Sequence, residues 1–167
     1  MTADPATRRD DRQRTTANAI VDAVIDEVAL GHPADTTLTR IFREHPEFGG
    51  RDRRRYRHTL FCFFRWRGWV ETAVPHHPEA GLALAVHLDP TSDDLQRALW
   101  APVLDTPPLG DTLARLRAAW NPDTPDPDYP LDALMPDWLP SVLPEPRRAA
   151  FIRACATRPP TWLRAAP

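Results

Sequence analysis

The sequence predicts an all-α protein: a helical bundle over residues 8–120, a Pro- and Asp-rich connection over 121–130 and a short helical extension over 131–167. Apolar residues recur at three- and four-residue spacing in six successive stretches before residue 121, the pattern of helices with one buried face. No stretch alternates apolar and polar residues over the length of a strand. The 20 prolines, well above the usual share of about 5%, lie mostly after residue 75 and punctuate those stretches. With 167 residues, 42% of them hydrophobic, the chain can build one proper core but hardly two.

Residues 1–14 are polar, with Arg8, Arg9, Arg12 and Arg14 interrupted by Asp10 and Asp11. Such a lead-in is expected to be a frayed tail, or an arm that holds RNA. From Thr15, the positions Ala17, Val21, Val24 and Val28 form one apolar stripe, and Gly31 follows as the C-cap. Asp35 is the expected N-cap of a second helix carrying Leu38, Ile41 and Phe42, ended by Pro46. Glu47 to Gly50 is a turn.

Arg51 to Val70, RDRRRYRHTLFCFFRWRGWV, is expected to be the central packing helix. At about 100° per residue, Tyr56, Leu60, Phe63 and Val70 share one face, while Arg51, Arg54, Arg55, His58 and Arg65 fall roughly opposite. Seven Arg against Asp52 give this stretch a formal charge of +6 in a chain of net charge −2. The asymmetry points to a local phosphate site rather than a generally sticky protein; the bland alternative is the solvated back of a core helix. Arg67 falls within the apolar arc, so it is expected to be buried and paired. Cys62 falls on the basic side, where a guanidinium can lower a thiol pKa, but no His or other base stands at usable spacing.

Pro75 and Pro78 bracket His76 and His77 in a solvated loop; adjacent histidines point apart, which disfavours a metal pair. Ala80 to Leu88 reads as a helix buried on most sides and stopped by Pro90. Thr91 and Ser92 offer caps for Asp93 to Trp100, which Pro102 closes, and Asp111 caps a helix with Leu113, Leu116 and Trp120 on one stripe. NPDTPDPDYP, residues 121–130, is a composition expected to bury nothing and to run extended. Leu131 to Leu143 reads as a short docked helix broken by Pro136 and Pro140. Glu145 to Thr157 reads as a helix with Pro146 in its first turn and Ala149, Ile152 and Ala156 on one face. In the closing RPPTWLRAAP, Pro159 and Pro160 exclude helix, and Thr161 to Leu163 look like the start of a strand.

All 21 basic residues are Arg and none is Lys; gene base composition can produce that, yet Arg is also the better fork for phosphate and stacks on bases. Two separated cysteines, Cys62 and Cys155, indicate neither a disulfide scaffold nor a zinc site and fit a reduced cytosol. The first residues lack an apolar signal region, and nowhere do about 18 apolar residues run together. The expectation is a cytoplasmic protein with no membrane partner.

Three landmarks occur in order: the Arg-led first helix, the RDRRRYRHTLFCFFRWRGW helix, and MPDWLPSVL followed by RPPTWLRA. Together they resemble the N-terminal region of the RsmB/Sun family of rRNA cytosine-C5 methyltransferases, whose leading domain is an all-helical, NusB-like bundle. The resemblance spans nearly the whole chain. It implies an RNA-binding domain, with S-adenosylmethionine as the cofactor of the parent family; the cationic face supplies Arg51, Arg54, Arg55, His58 and Arg65 as the expected RNA contacts, and Arg8, Arg9, Arg12 and Arg14 the arm that closes over it. In that family the donor binds a Gly-rich turn of a Rossmann-like sheet and a Cys is the nucleophile. Here the glycines are scattered at 31, 49, 50, 68, 81 and 110, and the family's Cys sites follow Pro or lie in Thr-Cys-Ser, whereas Cys62 follows Phe61 and Cys155 follows Ala154. No cofactor and no catalytic residue is therefore expected in this chain, read as a truncated or split enzyme whose methyltransferase domain lies downstream or acts in trans. Two other readings remain: a free-standing NusB-like antitermination-type factor, and a helical protein-interaction module with a merely solvated Arg face.

Overall fold

The structure, a computed structural model, describes residues 4–157. All the regular secondary structure among those residues is helical: α1 (Pro5–Ala29), α2 (Ala34–Glu44), α3 (Gly50–Ala73), α4 (Pro78–Leu88), α5 (Asp94–Leu104), α6 (Pro107–Trp120), a 3-10 turn (Leu131–Leu134), α7 (Leu139–Val142) and α8 (Glu145–Cys155). The expected all-α bundle is what forms. The closing RPPTWLR landmark and its expected strand lie outside the described residues.

From Pro5 onward the polar lead-in is not a frayed tail but the start of α1, and the missing N–H of Pro5 costs nothing at a first helical position. It is held ahead of its apolar stripe because Gln13 and Arg14 are buried against other helices. At its far end Gly31 (φ 91°) donates to the Val28 carbonyl and His32 to the Glu27 carbonyl, a Schellman stop that only the left-handed region allows.

Three cap assignments move. Pro33 occupies the N-cap position of α2, leaving Asp35 in the first turn, where its charge still favours the helix dipole. Asp93, not Thr91 or Ser92, caps α5, in a reciprocal box with Gln96. Thr106 precedes α6, which Pro107 and Pro108 open, so Asp111 is interior. Pro102 does not end α5 but sits in its last turns, at the cost of one backbone bond.

The helix at the centre is α4 rather than α3. Every residue from Ala80 to Val86 is buried, and α4 packs against α1, α3, α5 and α6. Around it close Leu60, Trp66, Trp69 and Val70 of α3, Trp100 of α5 and Leu116 of α6.

The Pro- and Asp-rich connection is docked, contrary to its composition. Tyr129 is buried, Arg115 pairs with Asp126 (2.6 Å) and Asp128 (2.5 Å) and lies 5.0 Å from the Tyr129 ring centre, and Trp69 Nε1 donates to the Pro130 carbonyl (2.8 Å). The 3-10 turn then lies on α3 at Gly68, where a Cβ would come within 1.7 Å of the Ala133 carbonyl oxygen. Pro140 sits inside the first turn of α7, and Ala149 of α8 is exposed while Ile152 and Ala156 are buried.

Candidate nucleic-acid interface

α1 and α3 run side by side in the same direction. Near their starts Gln13 Nε2 donates to Asp52 Oδ1 (3.1 Å) and Arg55 donates to Gln13 Oε1 (2.8 Å); further on, Val21 and Ile25 face the same cavity as Phe63 and Val70. Both N-termini therefore lie at one end of the bundle. Arg9 stands one turn before Gln13, and Arg51 immediately before Asp52. Arg8, Arg9, Arg12, Arg51 and Arg54 are all exposed there and form no ion pair with another described residue. Of the other arginines, Arg14, Arg40, Arg65, Arg67, Arg97, Arg115 and Arg148 each hold a carboxylate, while Arg43, Arg57 and Arg147 are also exposed without an ion pair among the described residues. Asp4 and Asp10 share the cationic end and reduce its charge without pairing with it.

Three residues expected at the ligand face turn inward instead. Arg14 is buried, donates to the Leu99 carbonyl (2.9 Å) and pairs with Asp11 and with Glu79 (3.3 Å), which fastens α1 to α5 and α4. Arg65 pairs with Asp89, a fully buried carboxylate that also accepts from Trp66 Nε1 (3.3 Å) and the Thr91 amide (2.9 Å). His58 is half-buried, with Nε2 2.8 Å from Ser92 Oγ and 3.2 Å from Cys62 Sγ. These side chains hold the α4–α5 turn against α3. Arg55 is half-buried on Gln13, so Arg51 and Arg54 are the members of the expected α3 set that stand free. Arg67 is not buried in the core: it is partly exposed and paired with Glu71 one turn on (2.8 Å).

Two residues left out of the expected set belong on the open side. Arg57 is exposed, its guanidinium 5.8 Å from the Phe42 ring centre and paired with no carboxylate, and Phe61 is exposed one turn further. With Arg54 they form a ridge at three- and four-residue spacing, a signal already present in the residue numbers. Other aromatic residues of α3, Tyr56, Phe63, Trp66 and Trp69, are buried.

Cys62 does have a base at usable spacing, since His58 is one turn before it on the same face. The pair is nonetheless unsuited to nucleophilic work. Burial and then the Asp89 charge push the Cys62 thiol far up, so it stays protonated, and burial pushes His58 down, so its imidazole is neutral near pH 7. Asp89 behaves differently. Burial would raise its carboxyl, but the Thr91 hydroxyl and amide and the Arg65 guanidinium bring it below the ordinary range. Donor atoms of His58, Cys62 and Asp89 lie within 4.8 Å of one another. A divalent cation does not fit them as they stand, because both Asp89 oxygens already accept hydrogen bonds and Arg65 occupies the carboxylate's charge.

The described residues also do not fit S-adenosylmethionine as the resemblance would place it: Gly49 and Gly50 open a helix that follows a turn, not a strand. Among the described residues no helix is long and apolar enough to cross a membrane. No family model, curated protein or solved structure matches the chain.

Proposed function

We propose that this chain is an RNA-binding, substrate-recognition domain of NusB-like type, serving a cytoplasmic rRNA cytosine-C5 methyltransferase whose S-adenosylmethionine-dependent chemistry is carried by a domain outside the described residues, in cis or in trans. The observation that supports the RNA reading is the gathering of Arg8, Arg9, Arg12, Arg51 and Arg54, none in an ion pair with a described residue, at one end of a molecule of net charge −2. Guanidinium forks on phosphate fix the position of a nucleic acid without reading its sequence. Arg57 extends the same grip along α3, and the start of the α3 dipole adds to its sign.

The test is binding of a structured rRNA hairpin as a function of salt. About four phosphate contacts give a log–log slope of roughly −3 to −4, at ~0.7–0.9 per contact; a slope near zero overturns the reading. A second reading, a helical protein-interaction module, draws on the exposed Trp138, Val142 and Phe151 of the extension. It is favoured if the chain retains a protein partner after nuclease treatment and binds no RNA.

A further inference from the structure

A cavity of about 340 Å³ opens between α1, the second half of α3 and the turn into α4, well along the helices from the cationic end. Its floor is apolar, made by Val21, Ile25, Phe63, Val70 and Leu82. Its volume is at the small end of ligand pockets, enough for one flat ring system with a short chain. The carboxylate and amide groups at its edge favour one kind of ligand. Asn18 Oδ1 is buried without a hydrogen-bond partner and Asp22 stands one turn on at the rim without an ion pair, while Glu71, which also lines the cavity, is already paired with Arg67. No Arg lines it; His76 and His77 both do, and His76 is held at φ 70°, a conformation that a non-glycine residue adopts at some cost. Partial burial, and then Asp26, hold the Asp22 carboxyl above its ordinary range, as expected of a carboxylate lacking a cation.

We propose that this cavity binds a small amphiphilic organic cation: a primary amine on a flat apolar ring, with the ring against Phe63, Val70 and Leu82 and the ammonium between Asn18 Oδ1 and the Asp22 carboxylate. An ammonium brings three donors and no acceptor, which completes the orphaned amide oxygen and the unpaired carboxylate together. A carboxylate or phosphate ligand meets acceptors and negative charge at the same edge, and a neutral hydrocarbon leaves Asn18 unpaired. The site is independent of RNA binding.

Tryptamine and indole-3-propionate share a ring and differ in the sign of their charge, so the pair isolates the head group. Titrated into the full chain and followed by the amide resonances of Val21, Val70 and Leu82, tryptamine is expected to bind with a Kd below about 1 mM and the propionate at least about tenfold more weakly. Asp22→Asn, at an exposed rim position, should weaken tryptamine about tenfold while leaving the thermal melt in place. Asn18→Leu should weaken it independently. Equal binding of the two indoles, amine binding that survives both substitutions, or no shift at those amides with the amine in millimolar excess overturns the proposal.

Discussion

Arg65 and Asp89 form an ion pair between α3 and the α4–α5 turn in which the carboxylate is fully buried and the guanidinium only partly so. That pair decides which part of the basic helix remains available. Asp89 collects Arg65, Trp66, Thr91 and, through its backbone carbonyl, Arg97 (3.2 Å), so the arc of α3 that carries Arg65, His58 and Cys62 is occupied by the molecule itself. What stays open is the neighbouring arc of Arg54, Arg57 and Phe61.

Removing the acceptor should therefore be costly. Asp89→Ala leaves Arg65, Trp66 Nε1 and the Thr91 groups without their shared partner. A buried pair broken on one side typically loses 3–5 kcal/mol, and discounting for the solvent that reaches Arg65 leaves about 2–4 kcal/mol. Urea denaturation measures it, and a loss under about 1 kcal/mol would show that the turn is held mainly by its apolar contacts.

His58 of this cluster and a second half-buried imidazole, His87 on α4, set a pH dependence. Burial lowers the folded-state pKa of His58 and of His87 below the ordinary 6.5. Between 6.5 and the folded values the unfolded chain binds protons that the folded chain refuses, so stability falls as pH drops below about 6.5. Asp89 acts lower down: its folded pKa is below 3.8, so its contribution is present above 3.8 and disappears as pH falls through the folded value. A melting temperature that declines from pH 7 to pH 5, with a shallower decline in His58→Gln, is the expected result. A flat profile would place both imidazoles in water.

Gly68 supplies a prediction whose sign is opposite to the usual helix rule. At an open helical site Gly→Ala gains roughly 0.5–1 kcal/mol, but here the new methyl would meet the Ala133 carbonyl oxygen at 1.7 Å. Backbone cannot give way as a flexible side chain does, so the 3-10 turn must lift and release the Trp69–Pro130 hydrogen bond. Gly68→Ala should cost about 1–3 kcal/mol and make residues 121–144 more readily cut by protease than they are in the unsubstituted chain. An unchanged digestion pattern would contradict the docking.

How much of this could be read from residues alone differs by interaction range. The stop at Gly31 was legible because it depends on neighbours within one turn; Gln96 three residues after Asp93 carried an equally local signal for the cap of α5, which the choice of Thr91 and Ser92 passed over. Periodicity also placed Arg65, His58 and Cys62 correctly on one arc of α3. It could not say that the arc is covered, since the cover is Asp89 and Ser92, more than twenty residues away. Asp-rich 121–130 misled for a related reason: its composition predicts solvation, whereas Arg115 and Trp69 provide partners that composition does not count.

The division of the arginines into claimed and free gives the sharpest test of the RNA reading, because two kinds of substitution should separate. Arg51→Glu with Arg54→Glu changes exposed groups that hold nothing, so the melt should stay put while the salt slope shrinks by about 1.5–2. Arg14→Gln should do the reverse, since it leaves the Leu99 carbonyl, Asp11 and Glu79 without a buried cation: stability falls and the slope changes little. Phe61→Ala probes the ridge between them. If an unpaired base stacks on that ring, affinity for a hairpin loop falls by roughly 1–3 kcal/mol while affinity for a blunt duplex holds. If both RNAs respond equally, the ring packs and the ridge binds backbone alone; if the Arg51 and Arg54 pair has no effect on either, the cationic end is solvated surface and the RNA reading fails with it.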